Sequence, residues 1–167
     1  MERRAFMDFE SIFDQYFNKI YKFIRIKTLN SMYSEDIASI VFEKVNRNIE
    51  SFDPNKSSFE TWLYTIARNE ISSFYRKKEV ATVGLDHAYN IYDEANTPDR
   101  QIEDSSYSSD LQDALASLNE NERTIIAYKY GLDLKNTEIA DLMGISNSNV
   151  GVVLFRSLKK LKKKMEV

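Results

Sequence analysis

Four small polar side chains follow a glycine-containing turn and begin a predicted helix. They are Ser146, Asn147, Ser148 and Asn149. An Asn side chain can bond to adenine through two hydrogen bonds, and a Ser hydroxyl can bond to a base edge or to phosphate. Val152, about one turn further along, has the apolar surface that contacts a thymine methyl group. The chemistry that these residues predict is the reading of DNA.

The segment around this polar run has the pattern of a helix-turn-helix. Ala140 is small, where two helices must approach closely, and Gly144 follows where the chain must turn sharply. Ser146 is suited to cap the second helix. Val150 is expected to lie on the side of the second helix that packs on the first. In such a unit the second helix lies in the major groove of DNA. Lys135 occupies the capping position of the first helix, three residues before Glu138, and Asn136 is the residue that could take over this role.

The end of the second helix is strongly basic. Residues 156–164 include six Lys or Arg residues and no acidic residue, although the whole chain has a net charge of −3. Phosphate responds to the local potential, so a basic segment attracts DNA despite an acidic total. Lysines also favour helix C-termini because they oppose the helix dipole, which is the competing interpretation. The predicted DNA contacts here are Arg156, Lys159 and Lys160.

A second candidate surface is predicted on a helix from about residue 59 to residue 78. One side of its helical wheel is apolar, and the other side mixes cations, amides and aromatic rings. A solvated helix face has this composition too. Single-stranded or melted nucleic acid also suits it, through phosphate contacts and stacking. The polar residues singled out on this helix are Arg68, Asn69, Ser72, Arg76 and Lys77.

Residues that could carry catalysis or bind a metal are nearly absent. His87 is the only His, there is no Cys, and no Gly-rich phosphate loop is found. A His-based triad, a multi-His metal site and a thiolate metal site are therefore not expected. The sequence predicts a protein that is not an enzyme, with no catalytic residue, no metal and no cofactor.

The composition predicts an all-α protein, because Gly (4) and Pro (2) are scarce. We expect two small helical domains joined by a flexible linker, with the helix-turn-helix in the C-terminal domain. The predicted boundaries are 1–80, an acidic linker at 81–109, and 110–167. No apolar run is long enough to span a membrane, and the N-terminus lacks a signal peptide core. A cytoplasmic protein without membrane insertion is expected.

Several helix ends are predicted from local signals. In the first domain, Ser34 is expected to cap the second helix of the chain, which runs to about Asn48. A short helix is expected near residues 98–103. Asn119 and Glu122 have the spacing of a capping box. Gly131 is expected to end the helix that follows them.

Two segments of the chain resemble one protein family. Residues 59–69 and 74–78 resemble region 2 of the extracytoplasmic-function (ECF) RNA polymerase sigma factors, which belong to the sigma-70 family. Residues 111–161 resemble region 4 of the same family, including Ala114–Leu118 and Glu138–Ala140. In this family, region 2 binds the clamp helices of the polymerase β′ subunit and recognises and melts the −10 element. Region 4 binds the β flap and reads the −35 element.

The resemblance implies partners and places for the predicted sites. The partners are the RNA polymerase core, promoter DNA and an anti-sigma factor. The polar run at residues 146–149 and the basic segment at residues 156–164 then read the −35 element. The polar surface of the helix at residues 59–78 reads the −10 element, together with Asn55 and Lys56 in the preceding turn. The contact with the polymerase clamp falls on the second helix of the chain, between about residues 34 and 48. In this helix Ser39-Ile40 stands in place of the family's usual Gln-Glu. The residues of this contact are Asp36, Ser39, Ile40 and Glu43.

Two other classes of protein compete with this interpretation. One is a stand-alone helix-turn-helix regulator of transcription, whose first domain would serve dimerisation or sensing. The other is an enzyme with an appended DNA-binding domain, against which the lack of catalytic residues counts. Co-purification with core polymerase would separate a sigma factor from a stand-alone regulator.

Overall fold

The computed structural model describes residues 7–84 and 108–166, and this part of the chain is helical without a strand. The prediction of an all-α protein with two helical units is confirmed. The short helix predicted near residues 98–103 lies outside the described residues. The helices are α1 (Phe9–Thr28), α2 (Ser31–Asn48), α3 (Phe59–Gly84), α4 (Ser109–Ala116), α5 (Glu120–Ile126), α6 (Asn136–Met143) and α7 (Asn147–Met165).

The first unit consists of α1, α2 and α3. Apolar residues at three- and four-residue intervals give α1 one buried face, which includes Ile12, Ile20 and Ile24. The Tyr16 hydroxyl donates a hydrogen bond of 2.7 Å to Glu60, which joins α1 to the start of α3. Burial and this carboxylate both raise the pKa of Tyr16, so the hydroxyl remains a donor.

The predicted cap of α2 is wrong. The helix begins at Ser31 and is capped by Asn30, whose side chain accepts a 2.9 Å hydrogen bond from the backbone N–H of Tyr33. Ser34 is fully buried one turn into the helix, and its hydroxyl donates to the carbonyl of Asn30 at 2.6 Å. Asn30 takes the capping role because α1 ends at Thr28 and is followed by its cap, Leu29, which has the left-handed conformation directly before Asn30.

Helix α3 begins where it was predicted and ends later. It starts after Ser58, whose hydroxyl accepts from the backbone N–H of Thr61 at 3.1 Å, and it continues to Gly84. No Gly or Pro interrupts residues 78–83, so nothing local ends the helix near Lys78. Leu63, Ala67 and Ile71 form its buried face.

The second unit contains α4 to α7. The predicted capping box of α5 is confirmed: Asn119 accepts from the Glu122 N–H at 2.9 Å, and the Glu122 carboxylate accepts from the Asn119 N–H at 3.0 Å. The helix then widens into a π-helical turn, Ala127–Gly131, so the predicted end at Gly131 is also confirmed. Helix α7 packs across α4, α5 and α6.

The two units are in contact through α1. The rings of Phe23 and Tyr128 stack, with centroids 5.3 Å apart and planes inclined by 15°. Gly131 lies so close to the Phe23 backbone that a Cβ would be 2.8 Å from the Phe23 Cα. The buried apolar residues of both units therefore form one continuous core.

Candidate nucleic-acid interface

The turn between α6 and α7 has the geometry of a helix-turn-helix. Gly144 ends α6 in the left-handed conformation, with φ of 67°, and its N–H donates to the carbonyl of Ala140. The Ser146 hydroxyl accepts from the Asn149 N–H at 3.0 Å and so caps α7, as predicted. Ile139, Ala140 and Val150 are buried where the two helices meet. The turn thus fixes the orientation of α7 relative to α6.

Asn136 does not take over the capping role at the start of α6. Lys135, not Asn136, is the capping residue, and its backbone N–H donates to the Glu138 carboxylate at 2.7 Å. Asn136 is the first helical residue, and its side chain accepts instead from the Lys129 ammonium at 3.0 Å. This bond joins α6 to the π-helical turn.

The residues predicted to read the −35 element lie along α7. Those at positions 146–149 are exposed in and before its first turn, and Val152, Arg156 and Lys159 are exposed further along. Lys160 forms an ion pair with Glu122 at 2.5 Å, which ties α7 to α5. The hydrogen bond from Lys160 lowers the pKa of Glu122, so the Glu122 carboxylate is ionised near neutral pH. The structure therefore gives Lys160 a contact within the second unit.

The residues predicted to read the −10 element share the solvent-exposed side of α3. Arg68, Ser72 and Arg76 are spaced four residues apart and form one stripe, which lies opposite the buried face of α3. Asn69 and Lys77 are exposed beside this stripe. The structure brings all five onto a continuous surface.

The turn before α3 presents the two remaining residues of the predicted −10 site. Asn55 and Lys56 are exposed, and both backbone N–H groups donate to Asp53, at 2.9 Å and 3.0 Å. These bonds leave both side chains on the surface near the start of α3. The turn and the α3 stripe belong to the same unit.

The predicted clamp contact forms an exposed face of α2. Asp36, Ser39, Ile40 and Glu43 follow helical spacing, whereas Ile37 and Val41 point into the core. Glu43 is paired with Arg47 at 2.5 Å. Ile40 is 37% exposed, which leaves an apolar side chain at the centre of this polar face.

Sequence reasoning missed the polar contact between the two units. The Lys27 ammonium pairs with the Glu120 carboxylate and donates to the Thr124 hydroxyl at 2.6 Å. A cavity of about 640 Å³ lies beside this contact, and α3 contributes Arg68 and Ser72 to its lining. Burial raises the pKa of Tyr64 to about 12, with help from Glu60 on its own helix and from Glu138 and Asp133 in the second unit. No local pattern in the sequence predicts that Lys27 contacts Glu120 and Thr124.

A pH-dependent stability is expected from the Lys27–Glu120 pair. Burial alone would raise the pKa of Glu120, but the hydrogen bond and charge of Lys27, followed by Arg123, lower it below its usual 4.5. Because the folded-state pKa is depressed, this stabilisation is present above pH 4.5 and is lost as the pH falls through the lowered value. The Glu120 side chain is 68% exposed, so we expect only about 0.5 kcal/mol.

Unfolding by denaturant at several pH values measures this dependence. Wild type should lose about 0.5 kcal/mol more than Glu120→Gln between pH 6 and pH 3. Glu35→Gln, at an exposed position on α2, serves as the control and should follow wild type. Parallel pH profiles for wild type and Glu120→Gln would contradict the expectation.

The described residues contain no group of acidic or His side chains that could hold a metal ion. Within the same ranges, no helix is both long and apolar enough to cross a bilayer. The fold and the exposed α7 define the class: an all-α protein with a helix-turn-helix, the motif in which the second helix lies in the major groove of DNA.

Comparison with known proteins identifies the family. A family model of sigma-70 region 2 matches residues 12–80, and a model of sigma-70 region 4 matches residues 108–161. The ECF RNA polymerase sigma factor SigW of Bacillus subtilis (strain 168) is 32% identical over 166 residues, which cover 94% of this chain and 88% of SigW. SigM of the same organism, also an ECF sigma factor, is 28% identical over 158 residues, which cover 93% of this chain and 94% of SigM.

The fold is also found among solved structures. The sigma factor RpoE, in complex with the anti-sigma factor NepR from Bartonella quintana, matches with a TM-score of 0.71 at 20% identity, over 96% of this chain and 98% of that one. CnrH, in complex with the cytosolic domain of CnrY, matches with a TM-score of 0.62 at 18% identity, over 95% and 87%. The chain belongs to the ECF sigma factors of the sigma-70 family, which direct RNA polymerase in promoter recognition and transcription initiation.

Proposed function

We propose that this sigma factor binds a promoter at two separate sites, one on each helical unit. Helix α7 reads the −35 element as duplex DNA, and the α3 stripe with the 55–56 turn binds the −10 element as it melts. The observation that carries the proposal is the presence of two exposed surfaces that carry cations and hydrogen-bonding side chains, one on each unit. The chain acts as a binding subunit without chemistry of its own, and its place of action is the cytoplasm.

The character of each surface supports its assignment. Helix α7 begins with exposed Asn and Ser side chains in a helix-turn-helix, which suits base edges in the major groove. The α3 stripe combines guanidinium groups with a hydroxyl and a neighbouring amide, which suit phosphates and unpaired bases. Duplex reading and single-strand binding thus fall on different units.

We further propose that α2 docks on the polymerase core and that an anti-sigma factor binds this chain. The exposed face around Ile40 supports the first proposal, because an apolar side chain within a polar rim is typical of a protein interface. The second rests on the solved complex in which the sigma factor RpoE, which has this fold, is bound to the anti-sigma factor NepR.

Run-off transcription with purified core polymerase tests the proposed function. Core enzyme with this chain should initiate at discrete promoters selected from a randomised library, and core enzyme alone should not. Initiation at no promoter, together with a shift of a palindromic duplex by the chain alone, would instead identify a stand-alone regulator.

Replacing Ile40 with Asp is expected to weaken core binding by about tenfold, because an apolar anchor in an interface contributes about 1–2 kcal/mol. Fluorescence anisotropy of the labelled chain titrated with core polymerase, without DNA, measures the change. Val80→Asp is the matched control, since Val80 is 68% exposed on another helix. Equal affinity of the Ile40→Asp variant and wild type for core polymerase would contradict the proposal that this face of α2 binds the polymerase.

A further inference from the structure

Helix α7 carries an apolar seam on a flank that its own unit leaves exposed. The seam consists of Phe155, Leu158, Lys162 and Met165, which are spaced three, four and three residues apart and so share one flank of the helix. Phe155 is 69% exposed, Leu158 is 41% exposed and Met165 is 47% exposed. An amphipathic helix binds an apolar surface of a partner through side chains at this spacing.

The α7 seam is also basic along its length. Arg156 and Lys159 are exposed beside Phe155, and Lys162 lies within the seam. Residues 156–164 include six Lys or Arg residues and no acidic residue. The seam therefore suits a protein surface that is apolar at its centre and acidic at its rim, because each cation then meets a carboxylate.

Helices α1 and α2 form such a surface where they pack together. The ring of Phe13 stacks on Phe17 with centroids 4.7 Å apart, and it meets the ring of Phe42 edge-on at 5.1 Å. Phe13 is still 38% exposed. These three residues are called the aromatic face below. Contacts among the rings hold them in place in the free chain, so little side-chain freedom is lost when a partner binds.

The rim of the aromatic face is acidic. Glu10 and Asp14 are exposed on α1, and each lies three residues before a ring of the face, which places its carboxylate beside that ring. On α2, Glu35 is exposed seven residues before Phe42, on the same side of the helix. The aromatic face and the α7 seam are thus apolar at their centres and opposite in charge around them.

We propose that two copies of this chain associate, with the α7 seam of each copy on the aromatic face of the other. Within one chain both surfaces are exposed, so they do not pair with each other there. A two-fold axis pairs them reciprocally, and the dimer closes with both seams and both faces covered. The opposite charges fix which surface meets which.

The dimer covers surfaces that the proposed function needs. Ser39, in the proposed polymerase contact, lies three residues before Phe42 and so beside the aromatic face. Helix α7, which carries the seam, is the proposed reader of the −35 element. The dimer is therefore an inactive form, and core polymerase dissociates it by competing for α2. This consequence rests on the proposed function, whereas the self-association is measured without polymerase or DNA.

Sedimentation equilibrium of the full chain tests the self-association. Wild type should dimerise in the micromolar range at low salt, and added salt should weaken the dimer, because the charges around the contact are at its rim. Phe155→Ala should weaken dimerisation about tenfold, since it removes the most exposed ring of the seam. Val80→Ala is the matched control, because Val80 is 68% exposed on α3; it should dimerise as wild type does.

Charge reversal identifies the two surfaces that meet. One variant combines Glu10→Lys with Asp14→Lys, and the other combines Lys159→Glu with Lys162→Glu. Each variant alone should stay monomeric, because like charges then face each other across the contact. An equimolar mixture of the two should dimerise again, because every aromatic face then meets a seam of opposite charge.

A third charge-reversed variant controls for the change in net charge. Lys19→Glu with Lys22→Glu alters two exposed residues of α1 on the side away from Phe13. It should dimerise as wild type does. A dimer that it loses to the same extent as the other reversed variants would mean that net charge, and not the proposed contact, controls association.

Other results would overturn the inference in distinguishable ways. Wild type that stays monomeric at high-micromolar concentration and low salt would exclude the dimer. Weaker binding of Phe13→Ala to core polymerase would then assign the aromatic face to the polymerase. A dimer that persists in both reversed variants, or a mixture that stays monomeric, would place the contact on other surfaces. Run-off transcription tests the two-site function separately, so its failure would leave the sedimentation results in place.

Discussion

Replacing Gly131 with Ala is expected to lower the free energy of unfolding by about 1–3 kcal/mol, the usual cost of inserting a methyl group into a packed interface. The new Cβ would lie 2.8 Å from the Cα of Phe23 and 2.9 Å from its backbone nitrogen. Both atoms belong to the backbone of α1, so no side-chain rotation relieves the overlap. The π-helical turn and α1 have to separate, which also weakens the stacking of Phe23 on Tyr128.

The same substitution at Gly151 provides a matched control with the opposite sign. Gly151 lies inside α7, where a Cβ would meet nothing within 4 Å. Ala has the higher helix propensity, so Gly151→Ala should raise the free energy of unfolding by up to ~1 kcal/mol. Guanidinium-induced unfolding followed by circular dichroism measures both variants. A loss of stability in Gly151→Ala, or none in Gly131→Ala, would contradict the close packing of Gly131 on Phe23 and the open space at Gly151.

Helix ends set by a neighbouring side chain could be predicted from the sequence. Ser146 and Asn119 act as caps as expected, and Gly144 has the left-handed conformation expected of it. Each of these depends on atoms within four residues. Ser34 was wrongly chosen as a cap because Asn30, four residues earlier, is an equally good capping type. Two nearby candidates cannot be ranked without knowing where the preceding helix ends.

The contact between the two units could not be predicted in this way. The sequence predicts that Phe23 is an ordinary core residue of an amphipathic helix and that Gly131 ends a helix. Both interpretations are correct within their own unit. Their second role arises only when α1 meets the π-helical turn, and the ion pair beside them joins residues 93 positions apart. Periodicity identifies which face of a helix is buried, but it does not identify the partner of that face.

The candidate site shows the same division between local and distant information. Spacing in the sequence placed Arg68, Ser72 and Arg76 on one side of a helix, and the structure has them exposed on that side. The pairing of Lys160 with Glu122 depends on how α7 crosses α5, which is a tertiary property. The roles of these residues toward DNA remain predictions that kinetics on promoter templates can test.

Replacing Arg68 and Asn69 together with Ala is expected to reduce promoter opening by at least tenfold. Both side chains are exposed on α3: Arg68 belongs to the stripe proposed to bind the melting −10 element, and Asn69 lies beside that stripe. Each direct contact to a base or phosphate contributes about 1–3 kcal/mol, and these contacts form only when the strands separate. The first closed complex, which depends on α7 and duplex DNA, should form with nearly unchanged affinity. Permanganate reactivity of unpaired thymines measures opening, and gel shift at low temperature measures the closed complex.

The double variant Asn18→Ala with Lys19→Ala separates this role from a general loss of polar side chains on the surface of the unit. These residues are also an adjacent amide and cation, and they are exposed on α1 of the same unit. The control should open promoters as wild type does. Equal losses of closed complex and of opening in the Arg68 and Asn69 variant would mean that α3 binds duplex DNA, since a contact made only to separated strands cannot weaken a complex that forms before they separate.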